Sequence, residues 1–210
     1  MDGFAITFLS VAAYGALHSL LLTGPVRRAA AAVLGEAAYR GVFRLAYNVL
    51  ATALLAVLLG GIAALPDREL VRMGGVAAAG LWAVRLAGLA VIAHCVRRVG
   101  FGRFLGWEHF RAWRRGETVP GPDMEAGELV VEGPYRYVRH PMYTAGAVVL
   151  WAQPTWTWNG LAFALAATLY LWLGSLHEER RMLETYGDTY RRYRDRTPAF
   201  VPTIPRSGEG

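Results

Sequence analysis

The sequence predicts an all-α integral membrane protein of about five transmembrane helices, with a C-terminal helical hairpin and a cytoplasmic tail. Three observations predict it. The chain is 54% hydrophobic over 210 residues and carries seven tryptophans, and its mean hydropathy is +0.27; that is too apolar for a soluble domain of this size. Apolar runs near the ~20 residues that cross a bilayer occupy Phe4–Leu22, Val42–Leu65, Val76–Val96 and Gly160–Leu176, and a shorter one lies at Met142–Ala152. All 22 basic residues are arginine, clustered between alternate runs.

The first run has no basic segment before it and no small-residue cleavage site after it, so it reads as a permanent helix. Arg27, Arg28, Arg40 and Arg44 mark the first connection, Arg97 to Arg115 the third, and Arg180 to Arg196 the tail. In the Pro66–Met73 connection Asp67 and Glu69 offset Arg68 and Arg72, and Gln153–Asn159 is uncharged. The positive-inside rule then places the N-terminus outside and the C-terminus, with the 133–146 segment, on the cytoplasmic side; abundant alanine and the all-arginine basic set suggest a GC-rich bacterial genome, so the expected location is a bacterial inner membrane. The formal net charge of +6 reflects topology and contact with anionic membrane lipids, and nucleic acid is not an expected partner because no basic stripe lies on a soluble module. No obligatory protein partner is evident.

The expected organisation is one membrane domain across 1–210. Residues 1–99 form a three-helix N-terminal bundle. Residues 100–132 form a cytoplasmic connector, in which Phe104–Trp113 interleaves aromatics with charge and is expected in the headgroup plane. Gly116–Gly127 is a Gly/Pro/Glu-rich loop, Glu128–Val131 is expected to be briefly extended, and residues 133–205 form a cofactor-binding hairpin and tail. One cysteine, Cys95, excludes an intrachain disulfide framework and reads as a small apolar packing residue. The chain has no GxGxxG, P-loop or HExxH pattern, and no metal site is expected.

Chemistry concentrates at residues 133–146, where two arginines, a histidine and three tyrosines precede an apolar segment. Polar groups at a membrane entry point are costly unless they bind something. Pro141 suits the first turn of a helix, which sets Arg139 and His140 beside unpaired backbone N–H groups at its positive end, a place that favours a carboxylate or phosphate. This helix has about twelve residues before Pro154, roughly 18 Å, which is short for a ~30 Å hydrocarbon core. The following helix returns to the same side and ends with Glu178 and Glu179. Two acids at the negative end of a helix oppose its dipole, which points to the motif arginines or a cationic ligand as partners. His18 and Arg85 are ionisable residues inside apolar runs, where either a functional role or a structural partner would account for them.

Gly133-Pro-Tyr-Arg-Tyr-Val-Arg-His-Pro-Met-Tyr143, Glu178-Glu-Arg-Arg-Met-Leu183, Tyr186-Gly-Asp-Thr-Tyr-Arg-Arg-Tyr193, Thr197-Pro198 and Ile204-Pro205 together resemble the isoprenylcysteine carboxyl methyltransferase and phospholipid methyltransferase superfamily. Trp151-Ala-Gln-Pro-Thr-Trp-Thr-Trp-Asn159, His18-Ser-Leu-Leu-Leu-Thr23 and Arg44-Leu-Ala-Tyr-Asn48 look most like its bacterial methanethiol S-methyltransferase branch. The resemblance implies S-adenosylmethionine as cofactor, with Tyr135, Arg139, His140, Tyr143, Gly146, Glu178 and Glu179 as its contacts. It implies methylation of a small thiol, or of a lipid-like acceptor, with His140, Arg139 and then His18 as residues that activate the nucleophile. A lipid amine or a prenylcysteine carboxylate is the alternative acceptor. A nicotinamide-dependent membrane reductase and a non-catalytic NnrU-type protein are the alternatives of another class, and the Arg-His-Pro and Glu-Glu pairing argues against the reductase.

Overall fold

The computed structural model describes residues 2–119 and 129–202. In order, the helices are α1 (Asp2–Leu20), α2 (Gly24–Leu34), α3 (Glu36–Ala63), α4 (Gly75–Val99), α5 (Phe101–Leu105), α6 (Trp107–Arg114), α7 (Pro141–Trp151), α8 (Trp158–Tyr186) and α9 (Asp188–Arg196), with a 3-10 turn at Gly133–Arg136. Strands β1 (Glu69–Arg72) and β2 (Thr155–Thr157) pair antiparallel in the register Glu69↔Thr157, Val71↔Trp156 and Arg72↔Thr155.

Among the described residues four helices are long and apolar enough to cross a membrane: Gly3–Leu20, Glu36–Ala63, Gly75–Arg98 and Trp158–Tyr186. These are the four long runs of the sequence. The fifth expected crossing is α7, whose 11 residues reach about 17 Å, well short of a ~30 Å core. Large apolar side chains on the long helices face outward, with Val57 73% and Val76 91% exposed. Buried positions are small instead: Thr7, Ala162, Ala164 and Ala166. This inversion suits a lipid surround, where helices associate through close packing rather than by hiding apolar surface from water.

By contacts the chain forms two compact units. One comprises residues up to Met73, Val96–Ala126 and Thr155–Tyr170; the other comprises Gly74–Cys95, Gly127–Pro154 and the chain from Leu171. Most of α4, which the sequence groups with the N-terminal bundle, therefore groups with the motif region. Gly88 explains the packing: a Cβ there would lie 2.9 Å from Val149 Cγ2 and 3.2 Å from the Ala145 carbonyl of α7, so only glycine admits this approach.

In the first unit the turn before β1 clips the start of α8. The Asp67 carboxylate accepts from Asn159 N (3.0 Å) and Arg68 N (2.8 Å), Asn159 Nδ2 donates to the Pro66 carbonyl (3.2 Å), and Trp158 N donates to the Arg68 carbonyl (3.0 Å). Thr157 Oγ1, just before the helix, accepts from Gly160 N (3.0 Å), and the acid from a distant turn adds a second acceptor for the first turn of α8. In the same unit α6 lies across α3, with Trp113 against Gly41, where a Cβ would come within 2.3 Å of the indole's own Cβ. Neither the β pairing nor α2 is evident from hydropathy. Residues 129–131 form no strand. Most of the Gly116–Gly127 loop, Glu128 and the Ile204-Pro205 ending lie outside the described residues.

Asp67→Ala is expected to cost about 1–2 kcal/mol by leaving the Asn159 and Arg68 N–H groups without their acceptor. Thermal unfolding of the purified protein in detergent checks this, and Asp67→Asn should recover part of the loss.

Candidate active site

The site is built in the second unit, where α7 and α8 form a hairpin and α9 with the following segment closes over its end. Pro141 occupies the first turn of α7 and is buried, because its missing N–H is no loss there. The two residues before it are fixed by their own N–H groups. Arg139 N donates to the Pro198 carbonyl (2.8 Å) and His140 N to the Ala199 carbonyl (3.1 Å). Thr144 Oγ1 donates to the Phe200 carbonyl (3.0 Å), and Tyr193 OH donates to the Tyr135 carbonyl (2.6 Å). The segment after α9 is therefore a wall of the site.

At the centre is Glu179. Its Oε1 accepts from Arg139 Nε (2.9 Å), Arg139 Nη2 (2.5 Å) and His140 Nε2 (3.0 Å). Arg139 Nη1 donates to the carbonyls of Thr197 (2.6 Å) and Arg194 (3.1 Å). The side chains of Arg139 and Glu179 are 12% and 18% exposed, so this pair is largely withdrawn from water. The guanidinium that the sequence offers to a ligand carboxylate is thus committed to protein partners, and the tail carbonyls depend on it.

Glu178 differs from its neighbour. Its side chain is 40% exposed, and its carboxylate lies 3.6 Å from His140 Nδ1. Tyr143 also hydrogen-bonds it. The imidazole, buried at 4% side-chain exposure, is set between the two acids, stacked on Tyr143 (5.4 Å between centroids) and against Phe200 (5.5 Å). Both ring nitrogens can donate only in the imidazolium form. With each nitrogen facing a carboxylate, His140 holds Glu178 in place and has no nitrogen turned to a substrate proton.

Three tyrosines complete the surround. Burial first, then nearby Cys95 and Glu178, push the Tyr135 hydroxyl up to about 12. Burial and the Glu179 charge push Tyr190, 2% exposed, up to about 12. Burial also raises Tyr193. These phenols stay neutral at physiological pH; Tyr193 donates to the Tyr135 carbonyl, and Tyr190 accepts from Arg139.

The sequence-derived candidates are thus distributed as follows. Tyr135, Arg139, His140, Tyr143, Glu178 and Glu179 share one region of the second unit. Gly146 is on α7, where a Cβ would meet only Leu171 Cδ1 at 3.5 Å; an ordinary contact at that distance means helix crowding does not require glycine. His18 is in the first unit, where its Nε2 pairs with Tyr47 OH at 2.6 Å and its ring lies among Tyr14, Tyr47 and Tyr170. Its Nδ1 is buried and has no hydrogen-bond partner among the described residues. Arg85 lies over the Trp82 ring at 5.3 Å, a local cation–π partner for an arginine in an apolar helix. Cys95 is fully buried, as a packing residue should be. The described residues contain no cluster of His, Cys, Asp or Glu able to hold a metal ion. Sequence reasoning missed the structural part of Tyr190, Tyr193 and 197–200; their signal was present in the Tyr-x-x-Tyr and Thr-Pro pattern, but nothing in spacing said that backbone carbonyls would be the contacts.

The fold and site define an integral membrane protein with several spanning helices and an acid–arginine–histidine network at the mouth of a short helical hairpin. Residues 90–189 match the phospholipid methyltransferase family. Over 68 residues it is 40% identical to methanethiol S-methyltransferase 1 of Bradyrhizobium diazoefficiens, covering 32% of this chain and 24% of that protein. Over 123 residues it is 32% identical to the methanethiol S-methyltransferase of Mycobacterium tuberculosis, covering 58% of this chain and 48% of that one. The protein-S-isoprenylcysteine O-methyltransferase of Schizosaccharomyces pombe is 34% identical over 82 residues, covering 37% and 34%. The chain spans between about a quarter and about a half of the length of these relatives. No solved structure matches it significantly.

Two predictions follow from the geometry. Arg139→Ala and Glu179→Ala each leave a buried partner unpaired and should release the tail at a cost of about 2–4 kcal/mol, whereas Glu178→Ala should not. Limited trypsin digestion reads this directly, since Arg191, Arg192, Arg194 and Arg196 become cleavable only when α9 is freed. For Tyr135 and Tyr190, a folded-state pKa of about 12 lies above the unfolded value of about 10. Their contribution to stability is therefore complete below pH 10 and is lost as pH rises through 12. Absorbance at 295 nm should show the Tyr190→Phe variant losing amplitude from the step near pH 12 and none from the step near pH 10.

Proposed function

We propose that the protein is an S-adenosylmethionine-dependent methyltransferase of the bacterial inner membrane, acting at its cytoplasmic face, and that it methylates a small thiol such as methanethiol to a thioether. The observation that carries the reading is that two family-matched segments 39 to 40 residues apart converge on one network in which a single carboxylate, Glu178, remains open. The cofactor fits this donor set by its chemistry. Its amine and sulfonium are cationic and suit Glu178, and its carboxylate suits the first-turn N–H groups of α7, which no residue of the same helix can satisfy.

When bound, S-adenosylmethionine supplies a methyl group on a positively charged sulfur, which a thiolate takes by in-line displacement. Everything else falls to the chain. Glu178 binds, with Tyr143 beside it. Tyr135 donates from a phenol that stays neutral. His140 and Arg139 are positioning residues: the imidazole orients Glu178, and the guanidinium fixes Glu179 and the tail that walls the site. Alignment of this kind contributes roughly 7–11 kcal/mol to a bimolecular transfer. Activating a thiol requires a proton acceptor or a nearby cation, and that step is not assigned to His18, which belongs to the first unit. The names of the bacterial relatives support methanethiol as acceptor, and the apolar character of the spanning helices suits a small volatile thiol better than a charged headgroup. The Schizosaccharomyces pombe relative supports a prenylcysteine carboxylate as the second reading.

Calorimetric titration with S-adenosylhomocysteine should give saturable binding that weakens at least ten-fold in Glu178→Ala while the tail stays trypsin-resistant. Headspace analysis with added methanethiol should show dimethyl sulfide rising above the same variant. Absence of binding by the unmodified protein overturns the methyltransferase reading; methylation of a lipid amine or prenylcysteine instead of the thiol overturns only the acceptor.

A further inference from the structure

Helix α6 carries a feature that methyl transfer does not use. Trp107, Phe110, Arg111, Arg114 and Arg115 line a cavity of about 340 Å³, at the lower end of the range for small-molecule sites, about 300–1,000 Å³. Arg111 lies over the Trp107 ring at 5.7 Å and Arg114 over the Phe110 ring at 5.9 Å, while the two rings are themselves 5.7 Å apart. Stacking on a ring fixes the plane of a guanidinium and leaves its N–H edge for an acceptor. Among the described residues neither Arg111 nor Arg114 has a carboxylate within ion-pair distance, and Arg115 has only Glu117 at 3.7 Å with both side chains largely exposed. The acid on the same helix, Glu108, is turned towards Gly102.

The position of α6 says which anion belongs there. Asn48 of α3 donates to the carbonyls of Phe104 and Leu105 (3.1 and 3.2 Å), and Trp113 sits on Gly41. Asn48 thus holds α5 in the first half of α3, while α6 packs at Gly41, six residues into this helix, which is long and apolar enough to span a membrane, and so lies towards the end of a span. Around the arginines, Phe101 is 62% and Trp107 46% exposed. A soluble anion would engage the arginines but leave these rings in water. A lipid satisfies both, since its phosphate meets the guanidinium edges and its glycerol and upper acyl chain cover the aromatics, as at interfacial aromatic belts.

We propose that the α6 cavity is a binding site for the phosphate of an anionic phospholipid in the surrounding bilayer, gripped by Arg111 and Arg114 with Trp107 and Phe110 beneath them. The site is separate from the proposed methyl-transfer centre and does not depend on that reading. Native mass spectrometry of the full-length protein in detergent, titrated with phosphatidylglycerol, tests it. One phosphatidylglycerol is expected to bind at least ten-fold more tightly than phosphatidylcholine. Arg111→Gln/Arg114→Gln should weaken it at least ten-fold, and Arg111→Lys/Arg114→Lys should fall between, because lysine keeps the charge but loses the fork and the stacking. Arg72→Gln, which removes an arginine already paired with Glu69, should leave binding unchanged. Should the glutamine pair perturb folding, judged by helical circular dichroism, the lysine pair and Trp107→Leu carry the test. Equal phosphatidylglycerol binding in the Arg111/Arg114 variants and the unmodified protein, an equal loss in Arg72→Gln, or displacement of the lipid by millimolar inorganic phosphate overturns the proposal.

Discussion

One carboxylate oxygen, Oε1 of Glu179, accepts from both Arg139 and His140, and the arrangement of the site depends on it. A carboxylate largely withdrawn from water is unfavourable unless its lone pairs are filled and its charge is balanced. Arg139 meets both needs and, being a planar fork with five donors, has enough left to hold two backbone carbonyls of the tail. A lysine in its place would supply charge without that reach. The acid, the motif and the tail are therefore one unit: removing any member leaves the others with buried polarity and no partner.

This explains why two adjacent glutamates at the end of α8 are not equivalent. Successive positions on a helix point about 100° apart, so Glu179 turns inward to Arg139 while Glu178 stays at the rim with His140 and Tyr143. One acid is fixed among protein partners and its neighbour stays half-exposed. Short α7 belongs to the same arrangement: its about 17 Å length falls short of a ~30 Å hydrocarbon core, and its start at Pro141 is buried.

The membrane class, the four long helices and the membership of the polar site in one hairpin were legible because hydropathy and motif composition carry them directly. Arg139 was legible as important but not in its part: spacing shows that an arginine and two acids arrive at one end of a hairpin, and says nothing of which atoms are already satisfied. The carbonyls of 194–200 were invisible, since backbone acceptors have no residue type. The same holds for the second acceptor at the start of α8: Thr157 caps it locally, but Asp67 and Asn159 are 92 positions apart. Gly88 reads in sequence as one small residue among many, and only the 3.2 Å approach of the Ala145 carbonyl gives it meaning.

The two histidines of interest show how far partner accounting constrains chemistry. A base must present a nitrogen that is not already engaged. His140, the obvious candidate from its motif, faces carboxylates on both sides and is better suited to fixing Glu178 than to moving a proton. His18 has one nitrogen tied to Tyr47 and the other buried without a hydrogen-bond partner among the described residues, in a helix where an unsatisfied polar atom is costly. Spacing treats the two histidines alike, and only the positions of their neighbours tell the fully engaged ring from the half-engaged one.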